Sequence, residues 1–314
     1  MILAAPLAIL WIGGVLLALA DGRRRWVGLT GLAILGAGLA ATIVLAGEVL
    51  RVGPVEMTAG NWPSGVGITF RADALGIAFA VTSTAVLVVA YAFELAGGIE
   101  SRTFPALTLL LATGLTGVFI TGDAFNFYVF FEISMVSAYV LTAYGVERRQ
   151  LRAAVIFAVV NLLGSVLFLV GIVSLYHVTG SLDIQSIGRR MLLVEANASI
   201  MAATLIFVAM SVKLGLFPFH FWLPAVYSSV HPSVAAMLSG ALATIGSYGL
   251  LRFGSGMLAP EVAAAAPALA LLGVGSIVYG GIQVMHEARL FLWLDLNQDA
   301  AWRKCQQEIV DRQP

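Results

Sequence analysis

Long apolar stretches, separated by short polar segments, run through almost the whole chain. A window of about 19 residues finds nine stretches long enough to cross a membrane, since a span needs about 20 mostly apolar residues. They lie at residues 2–20, 27–49, 74–96, 104–121, 124–145, 153–176, 199–224, 233–253 and 262–285. This pattern predicts an all-α polytopic membrane protein with about nine transmembrane helices.

The polar segments indicate how the spans begin and connect. Residues 51–71 are rich in proline and glycine, which predicts a turn-rich external loop, compatible with a short hairpin. Asp123 follows a Thr-Gly pair and is a candidate N-cap for the fifth span. The arginines at 23–25 follow the first apolar stretch, so we expect a retained span rather than a signal peptide. Residues 286–314 are charged and predict a polar tail, either disordered or a small surface helix.

The composition favours a membrane protein without catalytic groups. The chain is 60% hydrophobic and 11% charged, with a mean hydropathy of +0.96, whereas soluble domains carry about 25% charged residues. The zero net charge gives no indication of a nucleic-acid partner. The single Cys305 excludes an internal disulfide and a multi-cysteine metal site. The sequence shows no phosphate-binding loop, metal-ligand spacing or nucleophile–base pair, so we expect no metal, no cofactor and no bond-making catalysis by this chain alone.

The loop charges predict the orientation. The loops after the first, third and fifth spans, with the tail, carry 11 Lys or Arg residues, and the opposite loops carry five. Because cytoplasmic loops carry the excess of basic residues, we expect the N-terminus outside and the C-terminus in the cytoplasm of a multi-pass protein of the cell (inner) membrane.

Two ionisable residues lie deep within apolar spans: Glu132 in the fifth and Lys213 in the seventh. A charge near mid-membrane costs roughly 2.5–3.5 kcal/mol on insertion scales, and such residues usually face the bundle interior and pair. We interpret them as a relay in which Lys213 binds and releases a proton under the influence of Glu132. The alternative is a static buried pair that fixes helix register.

The seventh span is interrupted just past Lys213 by Gly215 and Pro218, followed by His220. Transporters use interrupted helices at ion sites, although an ordinary proline kink is the simpler alternative. His220 could pass a proton onward or bond to the backbone that the break frees. His231, in the turn before the eighth span, is interpreted as a loop residue.

Three further polar residues are candidates for a water path. Asn161 and Ser165 lie four apart in the sixth span and therefore on one helix face. Thr244 shares a face of the eighth span with Tyr248 and Arg252. Hydrogen bonding between packed helices is the alternative interpretation for all of them.

Three stretches resemble, in the same order, a known family of membrane proteins. They read GDAFNFYVFFEISMVSAYVL, KLGLFPFHFWLP and HPSVAAMLSGALATIGSYGLLR. They are similar to the antiporter-like membrane subunits of respiratory complex I, of Mrp-type sodium/proton antiporters and of energy-converting membrane-bound hydrogenases. The resemblance covers about residues 60–285.

The resemblance implies three leading helices followed by two inverted five-helix repeats. In this chain residues 1–103 would hold the leading helices, 104–254 the first repeat with the broken helix, 255–285 a ninth helix and 286–314 the tail. Since the second repeat should begin with the ninth span, we expect a chain truncated after the first repeat, either as a shortened or frame-shifted copy or as a half-subunit that another polypeptide completes.

The resemblance also implies roles for particular residues. Glu132 and Lys213 would form the ion pair that gates proton transfer, and Pro218 and His220 match the motif that follows. The family has a second lysine in the eighth helix, whereas this chain has Thr244, which can hold water but no proton charge.

Two functions follow as hypotheses. The first is a proton- or cation/proton-translocating subunit that assembles with sister membrane subunits, driven by a redox partner or by exchange for sodium. The second is a non-conducting scaffold that only packs against those subunits. A quinone site is a third option, but the sequence has no distinct amphipathic cavity signature, and the resemblance implies that other subunits handle the quinone.

Overall fold

The computed structural model describes residues 2–62 and 67–310, with side chains except at 61, 196, 284 and 286–310. The described chain forms twelve α-helices and two short strands. They are α1 (Ala5–Ala18), α2 (Arg25–Val52), β1 (Val55–Thr58), β2 (Thr69–Ala72), α3 (Ala74–Gly97), α4 (Phe104–Phe119), α5 (Ala124–Thr142), α6 (Arg148–Thr179), α7 (Ile184–Met191), α8 (Ala196–Leu214), α9 (Trp222–Tyr227), α10 (Pro232–Met237), α11 (Thr244–Gly256) and α12 (Ala259–Val310).

The prediction of an all-α polytopic fold with about nine membrane helices is confirmed. Within the described ranges, seven helical spans are long and apolar enough to cross a membrane, and α1 and α4 are shorter apolar helices. The seventh and eighth predicted spans are composites, at Asn197–Tyr227 and Pro232–Gly256. The helix of the ninth span runs on to Val310 without interruption, so residues 286–310 extend α12 instead of forming a separate surface helix.

The connections at one end of the helices follow the turn and capping signals of the sequence. The loop after α2 contains a hairpin, in which β1 pairs antiparallel with β2. Asp123 caps α5 as predicted, because its Oδ1 accepts a hydrogen bond from the Asn126 N–H at 2.7 Å. Asp73 and Asp183 cap α3 and α7 in the same way.

The short helix α4 is the most deeply enclosed helix of the described chain. Glycines let α5 approach it closely, as small residues do between membrane helices. A Cβ at Gly114 would lie 2.6 Å from the backbone nitrogen of Ser134, and one at Gly117 would lie 2.2 Å from the ring of Phe130. The core of the bundle is therefore built around α4, with α1 and α5 against it.

The chain divides into two compact units. The larger contains the described residues of 1–215 and 219–265, and the smaller contains 216–218 and those from 266 onward. In the smaller unit the Phe217 N–H donates to Ser276 Oγ at 2.9 Å, and the rings of Phe217 and Tyr279 lie 6.4 Å apart. The sites described below belong to the larger unit.

Candidate functional site

Lys213 lies in the last turn of α8 and is only 6% exposed. Its Nζ donates to the backbone oxygen of Asn161 at 3.1 Å and to Ser165 Oγ at 3.4 Å. It also lies 4.0 Å from the ring centre of Phe131, on α5, where a cation–π contact is favourable. The buried ammonium is thus held by neutral groups of α5 and α6.

Asn161 and Ser165 occupy successive turns of α6 and are buried. Asn161 Nδ2 donates to the Phe157 oxygen at 2.9 Å, and Ser165 Oγ donates to the Asn161 oxygen at 3.0 Å. The Asn161 oxygen therefore receives both the serine hydroxyl and the lysine ammonium. The two residues predicted from their helical spacing do lie beside Lys213, which the sequence did not indicate.

Glu132 lies in the middle of α5, one residue beyond Phe131. Its Oε1 is enclosed and has no hydrogen-bond partner within the described part of the chain. The described residues contain no direct ion pair between Glu132 and Lys213. The geometry differs from the direct pair that the resemblance implied, since the nearest partners of the ammonium belong to α6.

A small cavity of about 10 Å³ adjoins Lys213 and Asn161. Its other walls are apolar and come from α5, α6, α9 and the eighth span: Phe131, Met135, Phe157, Trp222, Tyr227, Leu238, Leu242, Ala243 and Ile245. Such a volume is about the minimum that holds one water molecule. The cavity therefore lies between the lysine and apolar residues of the eighth span.

The break after Lys213 begins at Gly215, which ends α8 in the left-handed conformation with φ of 68°. A glycine suits this cap because a side chain is strained there; a Cβ would also lie 2.4 Å from Leu223. Past the break, Trp222 Nε1 donates to the Val212 oxygen at 3.1 Å. His220 lies half-buried in the 3₁₀ turn Phe219–Phe221, and Pro218 belongs to the smaller unit.

The eighth span contains a π-helical turn, Leu238–Leu242, that joins α10 to α11. Thr244 lies two residues after this turn, and its Oγ1 donates to the Ala241 oxygen at 2.5 Å and lies 3.2 Å from Ser83 Oγ of α3. π-turns are rare and frequently occur at functional sites. The sequence reasoning missed this turn, because LSGAL differs in no visible way from an ordinary apolar helix.

A second polar network lies where α3 begins and α11 ends. Arg252 donates to both carboxylate oxygens of Asp73, at 2.6 and 2.8 Å, and to Tyr248 Oη at 2.7 and 2.9 Å. Arg71 lies 3.8 Å from Asp73 and contacts Glu56. Burial alone would raise the pKa of Asp73, but the hydrogen bonds from Arg252 and the Gly76 N–H, with the charges of Arg252 and Arg71, hold it below its usual value.

This network borders a pocket of about 290 Å³. Its polar lining comes from the hairpin, from the loop before α5 and from α7, as well as from α11: Glu56, Thr69, Arg71, Thr121, Asp183, Gln185, Ser186, Arg189, Arg252 and Ser255. The shared face of Thr244, Tyr248 and Arg252 was visible in the sequence, but Asp73, the partner of Arg252, was not.

The comparisons with known proteins agree with this architecture. A family model described as the transmembrane region of NADH:quinone oxidoreductase/Mrp antiporters matches residues 121–290, more than half of the chain. The chain is 36% identical over 207 residues to the putative antiporter subunit mnhD2 of Staphylococcus saprophyticus, covering 64% of this chain and 40% of that protein. It is 34% identical over 248 residues to mnhD2 of Staphylococcus aureus, covering 78% and 50% respectively.

Solved structures show the same fold. A chain of the Mrp complex from Dietzia sp. matches with a TM-score of 0.74 and 29% identity, covering 82% of this chain and 48% of that chain. A chain of the archaeal membrane-bound sulfane sulfur reductase matches with a TM-score of 0.71 and 25% identity, covering 80% and 40%. Respiratory complex I from Thermus thermophilus, at 22% identity and a TM-score of 0.64 over 79% and 52%, supports the fold alone.

The chain spans about half the length of the curated relatives that it matches. Within that half, the family match covers α5 to α11 and part of α12, and so includes Glu132, the broken span of Lys213 and the π-turn. This chain belongs to the NADH:quinone oxidoreductase/Mrp antiporter transmembrane family.

Proposed function

We propose that this chain is a proton- or cation/proton-translocating subunit of a multi-subunit membrane complex, with Lys213 as the group that binds and releases the proton. The observation that carries the proposal is the buried Lys213 Nζ, held by neutral groups at a helix break and beside a small cavity. The ring of Phe131 that it contacts is followed on α5 by Glu132.

Neutral partners suit a group that changes its charge. A carbonyl oxygen, a hydroxyl and an aromatic face stabilise an ammonium, yet removing the proton leaves no unpaired buried carboxylate beside the amine. A nearby carboxylate favours the charged form of an amine, and desolvation favours the neutral form. A change in the distance or protonation of Glu132 therefore shifts the balance between ammonium and amine, and the cavity supplies room for a water to carry the proton.

The remaining candidates have supporting roles in this mechanism. Asn161 and Ser165 orient the ammonium, and the break at Gly215 allows water to approach it. His220 passes the proton beyond the break, and Thr244 holds a water on the side of the π-turn. These roles remain proposals, as does assembly with sister membrane subunits, which is suggested by relatives that belong to Mrp-type and archaeal respiratory complexes.

Comparing Lys213→Arg with Lys213→Ala distinguishes the effect of losing the positive charge from the effect of losing proton release. Arginine keeps a buried cation but does not lose its proton in proteins, whereas Lys213→Ala removes both. We expect both variants to lower proton flux by at least about a hundredfold, the range that a positioned proton-transfer group contributes. We also expect Glu132→Gln to lower the flux, because the amide cannot bias the lysine. The flux is measured in vesicles that hold the native assembly, with and without a sodium gradient.

His177→Gln is the matched control, since His177 lies exposed near the end of α6. Its flux should equal that of the unaltered protein. Normal proton flux through Lys213→Arg in a normally assembled complex would overturn proton release at Lys213. Normal flux in all three variants would leave the chain as a non-conducting scaffold.

A further inference from the structure

Glu94 is a second buried carboxylate in a membrane helix, in the last turn but one of α3, and only 3% of its surface is exposed. Three side chains surround it. Tyr144 Oη donates to Oε1 at 2.5 Å, and Ser233 Oγ donates to Oε2 at 2.6 Å. His231 Nδ1 lies 3.0 Å from Oε2 and 2.9 Å from Ser233 Oγ.

The partners of Glu94 come from two other connections on the same side of the membrane helices. Tyr144 follows α5, and His231 and Ser233 lie at the start of α10. His231 is 41% exposed, so the imidazole touches water on one side and the buried carboxylate on the other. Sequence patterns did not indicate this contact, since they presented His231 only as a loop residue.

The other ionisable groups around the end of α3 have different partners. Arg23 donates to the backbone oxygen of Glu100 at 2.9 Å, and Tyr91 donates to the Gly28 oxygen at 3.0 Å. The charged side chains of the neighbouring loops are exposed: Arg24, Arg25, Arg102, Glu147, Arg148 and Arg149. Within the described residues, His231 is therefore the contact of Glu94 that can gain a positive charge.

Tyr144 acts as a fixed donor in this cluster. Burial, and then the hydrogen bond to Glu94, raise the pKa of the Tyr144 phenol above its usual value, so the phenol keeps its proton. The N–H of Glu100 donates to Tyr144 Oη at 2.8 Å, which orients the hydroxyl toward the carboxylate. Glu94 can therefore exchange a proton with the His231 imidazole, either directly or through the Ser233 hydroxyl, which contacts both groups.

We propose that Glu94 and His231 form a proton-loading site at the membrane surface, which exchanges protons between bulk water and the helix bundle. The inference rests on the proposed proton translocation. An imidazole protonated on Nδ1 takes a proton from water on Nε2 and gives the Nδ1 proton to Glu94 Oε2, directly or through Ser233. The carboxylate becomes a carboxylic acid, and the imidazole is neutral again with its proton on Nε2.

A purely structural cluster would behave differently. A structural contact needs only hydrogen bonds that link α3 to the loop after α5 and to α10. A glutamine at position 94 can supply some of these hydrogen bonds. A proton-loading site needs a group that titrates between about pH 5 and 8, the range in which histidine changes charge. The two roles are therefore separated by pH dependence rather than by loss of stability.

The test titrates Glu94 directly in the native assembly. Infrared difference spectra over about pH 5 to 8 should show a carboxylic acid band that Glu94→Gln removes. His231→Gln should change the pH dependence of this band, because the imidazole is the contact of Glu94 that can gain a positive charge. His177→Gln, at an exposed histidine near the end of α6, should leave the band unchanged.

Proton flux supplies the second measurement. Glu94→Gln should lower the flux several-fold on the alkaline side of the profile, where protons are scarce, with a smaller change on the acid side. The proton-loading site would be overturned if the unaltered protein showed no carboxylic acid band of Glu94, or if His231→Gln left the pH dependence of that band unchanged. This holds even if Lys213 variants stop the flux. Conversely, Lys213→Arg could show normal proton flux while the Glu94 band titrates as expected. That result would overturn the proposed function, and Glu94 would then load no protons for translocation.

Discussion

At the scale of single residues, the buried Lys213 and the partly buried Arg252 differ in their partners. Arg252 makes two charge-assisted hydrogen bonds to one carboxylate, which are strong and geometrically specific. Lys213 contacts a carbonyl, a hydroxyl and a ring. An arginine paired in this way is a permanent charge, whereas a lysine among neutral groups can lose its proton. This difference is the reason to assign proton transfer to Lys213 and a fixed structural contact to Arg252.

The Asp73–Arg252 pair makes the stability of the protein sensitive to acid. Because the pKa of Asp73 is lower in the folded chain than its usual value, the pair stabilises the fold above about pH 3.9, the unfolded value. The stabilisation is lost as the pH falls further through the folded pKa. Asp73→Asn should lower the free energy of unfolding at neutral pH by on the order of 2 kcal/mol, the contribution of hydrogen bonds to a charged group. The Tm should fall accordingly.

Thermal unfolding in detergent from neutral to acid pH measures this effect. The Tm difference between the unaltered protein and Asp73→Asn should shrink at the acid end. Glu48→Gln is the control, because Glu48 pairs with an exposed Arg51 and exposed pairs contribute about 0–1 kcal/mol. A Tm difference for Asp73→Asn that stays constant with pH would show that the carboxylate charge is not the cause.

Sequence patterns identified Lys213 and Glu132 but not most of their neighbours. A lone charge in an apolar span is conspicuous, because the membrane makes it costly. Contacts between helices depend on how each helix rotates against the next, which hydrophobicity does not encode. Glu94 was overlooked because it lies near a helix end, where a charge looks interfacial, and its partners Tyr144 and Ser233 are 50 and 139 residues away.

At the scale of elements, helix lengths were predictable and local irregularities were not. The thickness of the membrane sets the length of each span, and so the first eight apolar stretches match their helical spans within a few residues, whereas α12 continues well past the ninth stretch. Capping followed from Asp123, and the break of α8 followed from Gly215. The π-turn Leu238–Leu242 has no compositional signal, and its residues pack against α3.

The close contact between α4 and α5 gives a test at this scale. Gly114→Ala places a Cβ 2.6 Å from the backbone nitrogen of Ser134, and a backbone atom cannot move aside as a side chain can. We expect this variant to be destabilised by about 1–3 kcal/mol, the usual cost of overpacking, with a lower Tm and a lower yield of assembled protein.

Gly47→Ala is the matched control within α2, because no atom lies within 4 Å of the added Cβ. It should be neutral or stabilising, since alanine is favoured over glycine inside a helix by roughly 0.5–1 kcal/mol. Equal Tm values for the two alanine variants would show that α4 and α5 do not pack as closely as the structure indicates.

At the scale of the whole molecule, the polar sites of the larger unit lie at different levels of the helices. The Asp73–Arg252 pocket lies where α3 begins, and the Glu94 cluster lies where α3 ends. Lys213 and Glu132 lie inside spans between those levels. The arrangement suits a proton path with one opening at Glu94, and it makes the orientation of the chain decisive, because orientation determines which compartment that opening faces.

We propose that the Glu94 end faces the cytoplasm, on the basis of the 11 basic residues on that side against five on the other. The test is made in a Cys305→Ser background, with cysteines introduced at exposed residues of the larger unit. A membrane-impermeant maleimide should label Val146→Cys, at a residue 72% exposed between α5 and α6, in inside-out vesicles and not in intact cells. Leu193→Cys, at a residue 88% exposed between α7 and α8, should show the reverse pattern. Labelling of Val146→Cys in intact cells would invert the orientation, and protons would then load at Glu94 from outside the cell.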